Sequence, residues 1–585
     1  MEDVLLTMWA SLEARLASEA LRVDAALSAV PPSQVAIAAG IATLSAVWVV
    51  RLLRGNMPRS LGAAAQAGMD ALKRVPGVAG IVRREKQKIY QKLQHDVRSK
   101  RYGEGVPDKF LSLPSKAVKR KDLMGLVDRI RAGDQAFDFG DSPLSGAVYF
   151  GSQAHADMQT DVYAKFVAAN PIHADSYPSV ARMEAEVIAM TARLLDGGRD
   201  TVVGSVTSGG SESILCAMKA SRDWWLARRA ASWTAPIHAL LAAAPWSPGE
   251  ARPQILMADS AHAAYVKAAE YFHLTPVVVR VGKATGFRLT ARAVRRHMTA
   301  QTAIVVCSAP SYPHGCCDEV DAIASLCARA GCACHVDACL GGFVLPFAAE
   351  AGFAKGRPPL PSLDFSNAGV TSMSVDTHKY GLAHKGTSVV LYKNKELRAR
   401  QFTRVTDWSG GLYISPTMAG SRSGAVIAAA WASLLAIGRS GFVEQTRKLL
   451  TCVRILEEGI ESIDGLELLG APHSTVIAWG AAAGSGRGGR RLDIYRVNDL
   501  MTARGWNLAC LQRPAGLHMC VTPAHAEPMM RRLVDDLREC VAEAGKADPG
   551  DKEGNAAIYG MAEALPDRHI IGDVLVAYQE ATLDS

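Results

Sequence analysis

Between about residue 140 and residue 400, short β-branched runs alternate with longer stretches whose apolar residues recur at helical spacing, as where residues 304–307 give way to residues 320–329. Such a chain buries its strands on both faces, because each crossover helix lies back against the sheet. The pattern therefore predicts an α/β fold with a mainly parallel sheet covered by helices on both sides. In that architecture the loops at the carboxyl ends of the strands carry the chemistry. From about residue 440, a helical stretch, an apolar run near 474–479 and a later helix over 528–544 predict a smaller α+β terminal domain. With 585 residues, 49% of them hydrophobic, the chain has enough apolar material for both cores.

Four loops that follow apolar runs hold reactive or anion-binding residues. Ser374-Val375-Asp376-Thr377-His378-Lys379-Tyr380-Gly381 delivers Lys379 to a turn beside His378. Thr207-Ser208-Gly209-Gly210-Ser211-Glu212-Ser213 joins an apolar run to a helical pattern over 214–226. Paired glycines and hydroxyls at a new helix start form an anion cradle, since unpaired amides and the helix dipole both point at the bound group. In Cys334-His335-Val336-Asp337-Ala338-Cys339-Leu340-Gly341-Gly342-Phe343, Asp337 is placed to meet a buried cationic ring nitrogen. Asp259-Ser260-Ala261-His262 offers an imidazole to lie over a flat ring. Each segment alone also reads as an ordinary turn, cap or core histidine. Together they supply what pyridoxal phosphate requires: a phosphate cradle, a lid for the ring, a carboxylate for the pyridine nitrogen and a lysine for the aldehyde.

On these segments the chain resembles the fold-type I pyridoxal-phosphate enzymes. It is similar in particular to the sphingosine-1-phosphate lyases, through Ser145-Gly146-Ala147-Val148-Tyr149, Asn170-Pro171-Ile172-His173-Ala174-Asp175, Met183-Glu184-Ala185-Glu186-Val187, Asp407-Trp408-Ser409-Gly410-Gly411, Ser415-Pro416-Thr417-Met418-Ala419-Gly420-Ser421-Arg422 and Ala557-Ile558-Tyr559-Gly560-Met561-Ala562. The resemblance runs from about residue 120 to residue 585 and departs from the family at Ser211, His384 and Ser423, none of which removes a charged or nucleophilic group.

The resemblance implies a pyridoxal-phosphate lyase that cleaves the C2–C3 bond of a phosphorylated long-chain base to a fatty aldehyde and phosphoethanolamine. Lys379, His262 and Asp337 are then the catalytic candidates. Ser208, Gly209, Gly210, Ser211, His378, Gly420 and Ser421 join those three around the cofactor, while Tyr149, Asn170, His173 and Lys385 hold the substrate phosphate. In the family the 410–421 segment approaches the cofactor phosphate across a subunit boundary, which implies a homodimer with shared active sites. Arg422 either orients that loop or makes a surface ion pair. His314, Tyr413 and Tyr559 are open candidates for the group that takes the C3 hydroxyl proton. Two rivals stay open: an amino-acid decarboxylase on the same fold, which needs no second phosphate site, and a catalytically dead scaffold.

Net charge is +8, but residues 51–131 carry twenty Lys and Arg against seven Asp and Glu, so the basic excess is local and the rest of the chain is acidic. No zinc-finger or RNP-like spacing supports a nucleic-acid partner. Seven of the twelve cysteines fall between Cys307 and Cys339 without the C-x2-C and His partners of a zinc site, which predicts reduced buried thiols and no metal. The 26 positions between Asp24 and Arg51 are uncharged. Acidic residues precede them and basic residues follow, so a membrane helix there puts the amino terminus in the lumen and the large domain in the cytosol. An acidic leading region argues against a signal peptide; a helix docked on the soluble domain is the other reading. The resemblance implies the endoplasmic reticulum. The expected division is 1–34 lumenal, 35–53 transmembrane, 54–139 a basic juxtamembrane linker with helical pieces, 140–439 the cofactor-binding domain and 440–585 the small domain.

Overall fold

The computed structural model describes residues 112–132, 142–195, 200–231, 252–353, 362–486, 492–546 and most of 568–583, with isolated positions at 87–95 and Asp134. The expected transmembrane helix at 35–53, nearly all of the 233–253 loop, part of the Gly/Arg-rich loop at 481–491, and Tyr559 lie outside the described residues. The chain divides into two compact units, one of residues 1–136 with 547–585 and one of residues 137–546. In the first, the described helix Arg120–Arg131 exposes Leu123, Met124, Val127 and Ile130.

The second unit is built on a seven-stranded sheet. Its strands are β1 (Val203–Thr207), β2 (Gln254–Ala258), β3 (Thr275–Val279), β4 (Thr302–Ser308), β5 (Ala333–Asp337), β6 (Ser372–Val375) and β7 (Ser388–Tyr392), in the spatial order β1-β7-β6-β5-β4-β2-β3. Pairings from β3 through β6 are parallel, and β7 runs antiparallel to both its neighbours. Every residue of β4, β5, β6 and β7 is buried. That matches the near-continuous Val, Ile, Leu and Ala runs that a doubly covered sheet demands. The helices Gly210–Ala230 and Ala264–Tyr271 contribute Ile214, Met218 and Tyr265 to one core cluster with Ile255, Ile304 and Val390.

Beyond the sheet, β8 (Thr403–Val405) and β9 (Tyr413–Ser415) form a hairpin, and β10 (Leu466–Leu468), β11 (Val476–Ala481), β12 (Ala509–Leu511) and β13 (Gly516–Cys520) form an antiparallel sheet ordered β10-β11-β13-β12. The helix Gly424–Glu461 links the two regions. Among the described residues it is the one helix long and apolar enough to cross a bilayer, yet Ala428, Leu449, Leu456 and Ile460 are buried in the protein core. Each large apolar side chain so buried contributes roughly 1.5–3 kcal/mol. Gly438, at φ 60, bends this helix where a residue with a Cβ is strained. Ser423, one of the departures from the family pattern, caps it by accepting from the Val426 amide at 3.3 Å. All twelve cysteines are free thiols. Among the described residues, no group of three or more His, Cys, Asp or Glu is placed to hold a metal ion.

Candidate active site

β6 ends at Val375, and the turn that follows folds Lys379 back onto Asp376, with Nζ 2.8 Å from Oδ2. Burial opposes the Lys379 ammonium, but the Asp376 carboxylate overrides it and raises the amine's pKa. Burial likewise opposes the charge on Asp376, while Lys379 and then His378 hold its carboxyl below the usual range. His378 donates from Nδ1 to the Thr387 carbonyl, and its pKa is lowered by burial against the pull of Asp376. The second oxygen of Asp376, Oδ1, is buried without a hydrogen-bond partner.

On the neighbouring strand, Asp337 ends β5 and faces Ser308 of β4 on one side and Ser374 of β6 on the other. Its carboxylate accepts from the Tyr265 hydroxyl at 3.1 Å and the Cys339 amide at 3.1 Å, with Ser374 Oγ at 3.4 Å. Below it, His335 sits between Ser372 and Ser374, its pKa lowered to about 4 by burial. That histidine is a neutral core residue.

The cradle opens where β1 ends at Thr207. Gly209 has φ 155, and the helix Gly210–Ala230 starts without a side-chain cap, leaving first-turn amides free for a ligand. A Cβ on Gly210 would lie 2.8 Å from Asp376 Oδ1 and 3.0 Å from Cys339 Sγ, and one on Gly209 would lie 3.9 Å from the His378 ring. The cradle therefore backs directly onto the lysine turn. Ser208 and Ser211 are exposed at its mouth. Opposite stands the segment after β9. Asn170 donates to Ser421 Oγ at 3.1 Å and accepts from the Arg422 amide at 3.3 Å. Arg422 grips Glu184 with both guanidinium nitrogens and the Val206 carbonyl with one, at 3.1 Å. Of the two roles open for Arg422, the structure favours the loop-orienting one, because both side chains of this pair are largely buried.

Lys385 places Nζ 4.6 Å from the centre of the Tyr149 ring, which meets Tyr380 edge-on at 5.2 Å. Burial lowers the Lys385 pKa and the charge of Lys379 lowers it further. Tyr149 is itself buried, its hydroxyl against Cys520 Sγ at 3.6 Å. His173 is exposed on a turn that its own amide closes on the Asn170 carbonyl at 3.1 Å. Among the described contacts, none joins His173 to Lys385. His262 is exposed beyond β2, with Nδ1 accepting from the Ala264 amide at 3.1 Å.

The sequence left the C3-hydroxyl base open. His314 packs on Phe287 at 4.7 Å with its pKa lowered to about 4 by burial, chiefly a core histidine. Tyr413 lies beside Trp408 and close to Gly420. Tyr312, two residues before His314 and given no role in the sequence reading, is half exposed and within electrostatic reach of Lys379. Asp376, Tyr265 and Glu212 were also missed; the first two have a local signal, three residues from Lys379 and His262 respectively.

These residues fit pyridoxal phosphate. An uncapped helix start that a Cβ would fill suits a phosphate, and Lys379, paired with the Asp376 that backs the cradle, supplies a primary amine. Residues 134–481 match the family model described as the pyridoxal-dependent decarboxylase conserved domain. The sphingosine-1-phosphate lyase of Arabidopsis thaliana is 40% identical over 522 residues, covering 88% of each chain. That of Drosophila melanogaster is 36% identical over 559 residues, covering 94% of each. Among solved structures, sphingosine-1-phosphate lyase of Burkholderia pseudomallei aligns with TM-score 0.66 and 31% identity, covering 81% of this chain and 98% of that one. Lactobacillus brevis glutamate decarboxylase, at TM-score 0.61 and 21% identity over 76% of this chain and 97% of its own, shares the fold.

Proposed function

The chain belongs to the pyridoxal-dependent decarboxylase family and within it to the sphingosine-1-phosphate lyases, and from that membership and the site's geometry we infer that it cleaves phosphorylated long-chain bases between C2 and C3. When bound, pyridoxal phosphate supplies an aldehyde that condenses with primary amines and a ring that withdraws electrons from the bond to be broken. Lys379 would hold the cofactor through its amine and, when not so engaged, would serve as an acid or base. Asp376, 2.8 Å away, gives the released ammonium a buried counter-ion. Asp337 would pair with the cofactor's ring nitrogen and favour its protonated form; one such ion pair is worth roughly 1–3 pKa units.

Substrate orientation falls to the far end of the site. Lys385 beside Tyr149, with Asn170 and His173, is proposed to hold the substrate phosphate, so that the C2–C3 bond stands across the ring face. His262 is proposed as the residue over the ring, and Ser208, Gly209, Gly210, Ser211, His378, Gly420 and Ser421 as the phosphate cradle. Breaking C2–C3 would turn the C3 carbinol into a fatty aldehyde, its hydroxyl proton passing to a base of the site, and Lys379 would supply the proton that C2 gains in phosphoethanolamine. The observation that carries this reading is the lysine turn after β6, in register with an acid at the end of β5 and backed by a glycine cradle.

We also propose a membrane anchor over residues 35–53 with a cytosol-facing catalytic domain at the endoplasmic reticulum, supported by the uncharged run and its flanking charges. A homodimer sharing the 410–421 segments is proposed on the family likeness; within one chain that segment is already tied to Asn170 and Glu212. Incubating purified protein with pyridoxal phosphate and sphingosine 1-phosphate should yield a long-chain aldehyde and phosphoethanolamine in equal amounts. Carbon dioxide from glutamate or an aromatic amino acid, with no aldehyde, would overturn the reading in favour of a decarboxylase.

A further inference from the structure

We propose that Glu212 is a positioning residue that ties the glycine wall of the cofactor-phosphate cradle to the segment carrying Gly420 and Ser421, an inference that rests on the pyridoxal-phosphate reading of the site. Glu212 is the third residue of the helix Gly210–Ala230 and is 8% exposed. Its Oε2 accepts from the amide of Ser208 at 2.6 Å, one residue before the N-cap Gly209, a reach-back one position beyond that of a capping box. Its Oε1 does something that capping does not require. That oxygen accepts from the Met418 amide at 3.0 Å and the Ala419 amide at 3.2 Å, more than two hundred residues downstream.

One carboxylate thus ties the Ser208–Gly209–Gly210 wall to the wall that carries Gly420 and Ser421. No described ion pair includes Glu212; backbone donors and the positive end of its own helix offset its charge. Without the tie, the second wall is held from its far end, where Asn170 and Glu184 grip Ser421 and Arg422. A site that must grip a small dianion needs its walls placed to within about 0.5 Å, and Glu212 supplies the crosslink nearest the helix start.

Glu212→Gln keeps the volume but turns one terminal oxygen into a donor that faces an amide N–H, so one side of the tie must break. In the cofactor-free protein, hydrogen exchange at the amides left facing the new NH2 group, Ser208 on one side or Met418 and Ala419 on the other, should quicken at least about tenfold, and the pyridoxal phosphate Kd read by titration should rise about tenfold. With saturating cofactor, kcat should stay within about threefold of the parent. Asn394→Ala, which removes the cap of the helix Lys395–Ala399, is the control for ordinary cap loss and should leave both readouts unchanged. Glu212→Asp, whose shorter side chain cannot span both walls, is read in the same way should the Gln variant fail to fold. Exchange or Kd within about twofold of the parent overturns the proposal. A parent that takes up no pyridoxal phosphate would instead sink the cofactor reading, while the exchange rates still decide whether Glu212 joins the walls.

Discussion

Lys379 and Asp376 form an ion pair of 2.8 Å across a three-residue turn, with the Asp376 side chain 2% exposed and its second oxygen unpartnered against the Gly210 backbone. The pair joins the two halves of the site, because the acid that holds the lysine also forms the floor of the glycine cradle. A free lysine so held stays protonated, which suits it to return a proton and makes it slow to condense with an aldehyde until the proton is lost.

Asp376→Asn should expose that poise directly. Asp376 is what raises the Lys379 pKa against burial, so without it burial and the nearby Lys385 charge bring the pKa down. The rate of pyridoxal phosphate uptake by cofactor-free protein, followed by visible absorbance, should then rise with pH and level off at lower pH than in the parent. The carboxyl pKa of Asp376 is itself lowered in the fold, so the stability it contributes is present above the ordinary carboxyl range and drains as pH falls through the folded value. Urea melts of the variant should lack that part of the acid-range slope below about pH 4. An unchanged uptake profile would show that Asp376 does not set the state of Lys379.

The layout of this site was legible because strand periodicity and small-residue turns are local signals. Apolar runs ending at Thr207, Ala258, Asp337 and Val375 could be read one after another, and each does end a strand of the same sheet. What the sequence could not disclose was pairing over distance. The side chain of Asn170, a candidate ligand of the substrate phosphate, also binds Ser421 and the Arg422 amide, 251 and 252 residues away. Glu212 looked like part of a helix start, and its second oxygen belongs to Met418 and Ala419. His314 is one of three open candidates for the hydroxyl base by sequence, but Phe287, on another segment, takes its ring into the core. No local pattern encodes such partners.

Gly210→Ala tests the shared floor. Gly210 is the first residue of its helix, so the interior preference for alanine, about 0.8–1.0 kcal/mol, is an upper bound on the gain. The added Cβ, however, would sit 2.8 Å from Asp376 Oδ1 and 3.0 Å from Cys339 Sγ, and Asp376 can turn aside only by disturbing Lys379. The two effects act on different measurements. Thermal stability should change by less than about 1 kcal/mol, while pyridoxal phosphate binding weakens by at least about tenfold. Tighter or equal binding would mean that the cradle has room to spare.

Arg422 should behave as a buried fork. Both of its terminal nitrogens engage Glu184, and one also reaches the Val206 carbonyl at the end of β1. Lysine keeps the charge and loses the two-pronged geometry, whereas alanine leaves Glu184 buried and unpaired. Arg422→Ala should therefore cost about 3–5 kcal/mol in urea unfolding, and Arg422→Lys clearly less. Equal losses would make charge alone the requirement, and no loss in either would return Arg422 to the surface.

Lys385 offers the sharpest separation of substrate grip from cofactor chemistry. Its ammonium lies over the Tyr149 ring, and burial with the nearby Lys379 charge lowers its pKa. If it holds the substrate phosphate, Lys385→Ala removes a charge-assisted bond worth about 1.5–3 kcal/mol, so kcat/KM for a phosphorylated long-chain base should fall by roughly 10- to 150-fold. The visible spectrum of the bound cofactor should not change. The parent's KM should rise as pH climbs through the lowered Lys385 pKa, at lower pH than an ordinary lysine would give, because the cation is lost as it deprotonates. In the variant that limb should be missing. A variant with parental kcat/KM and the same alkaline limb would remove Lys385 from the phosphate site and leave the Tyr149 contact as packing.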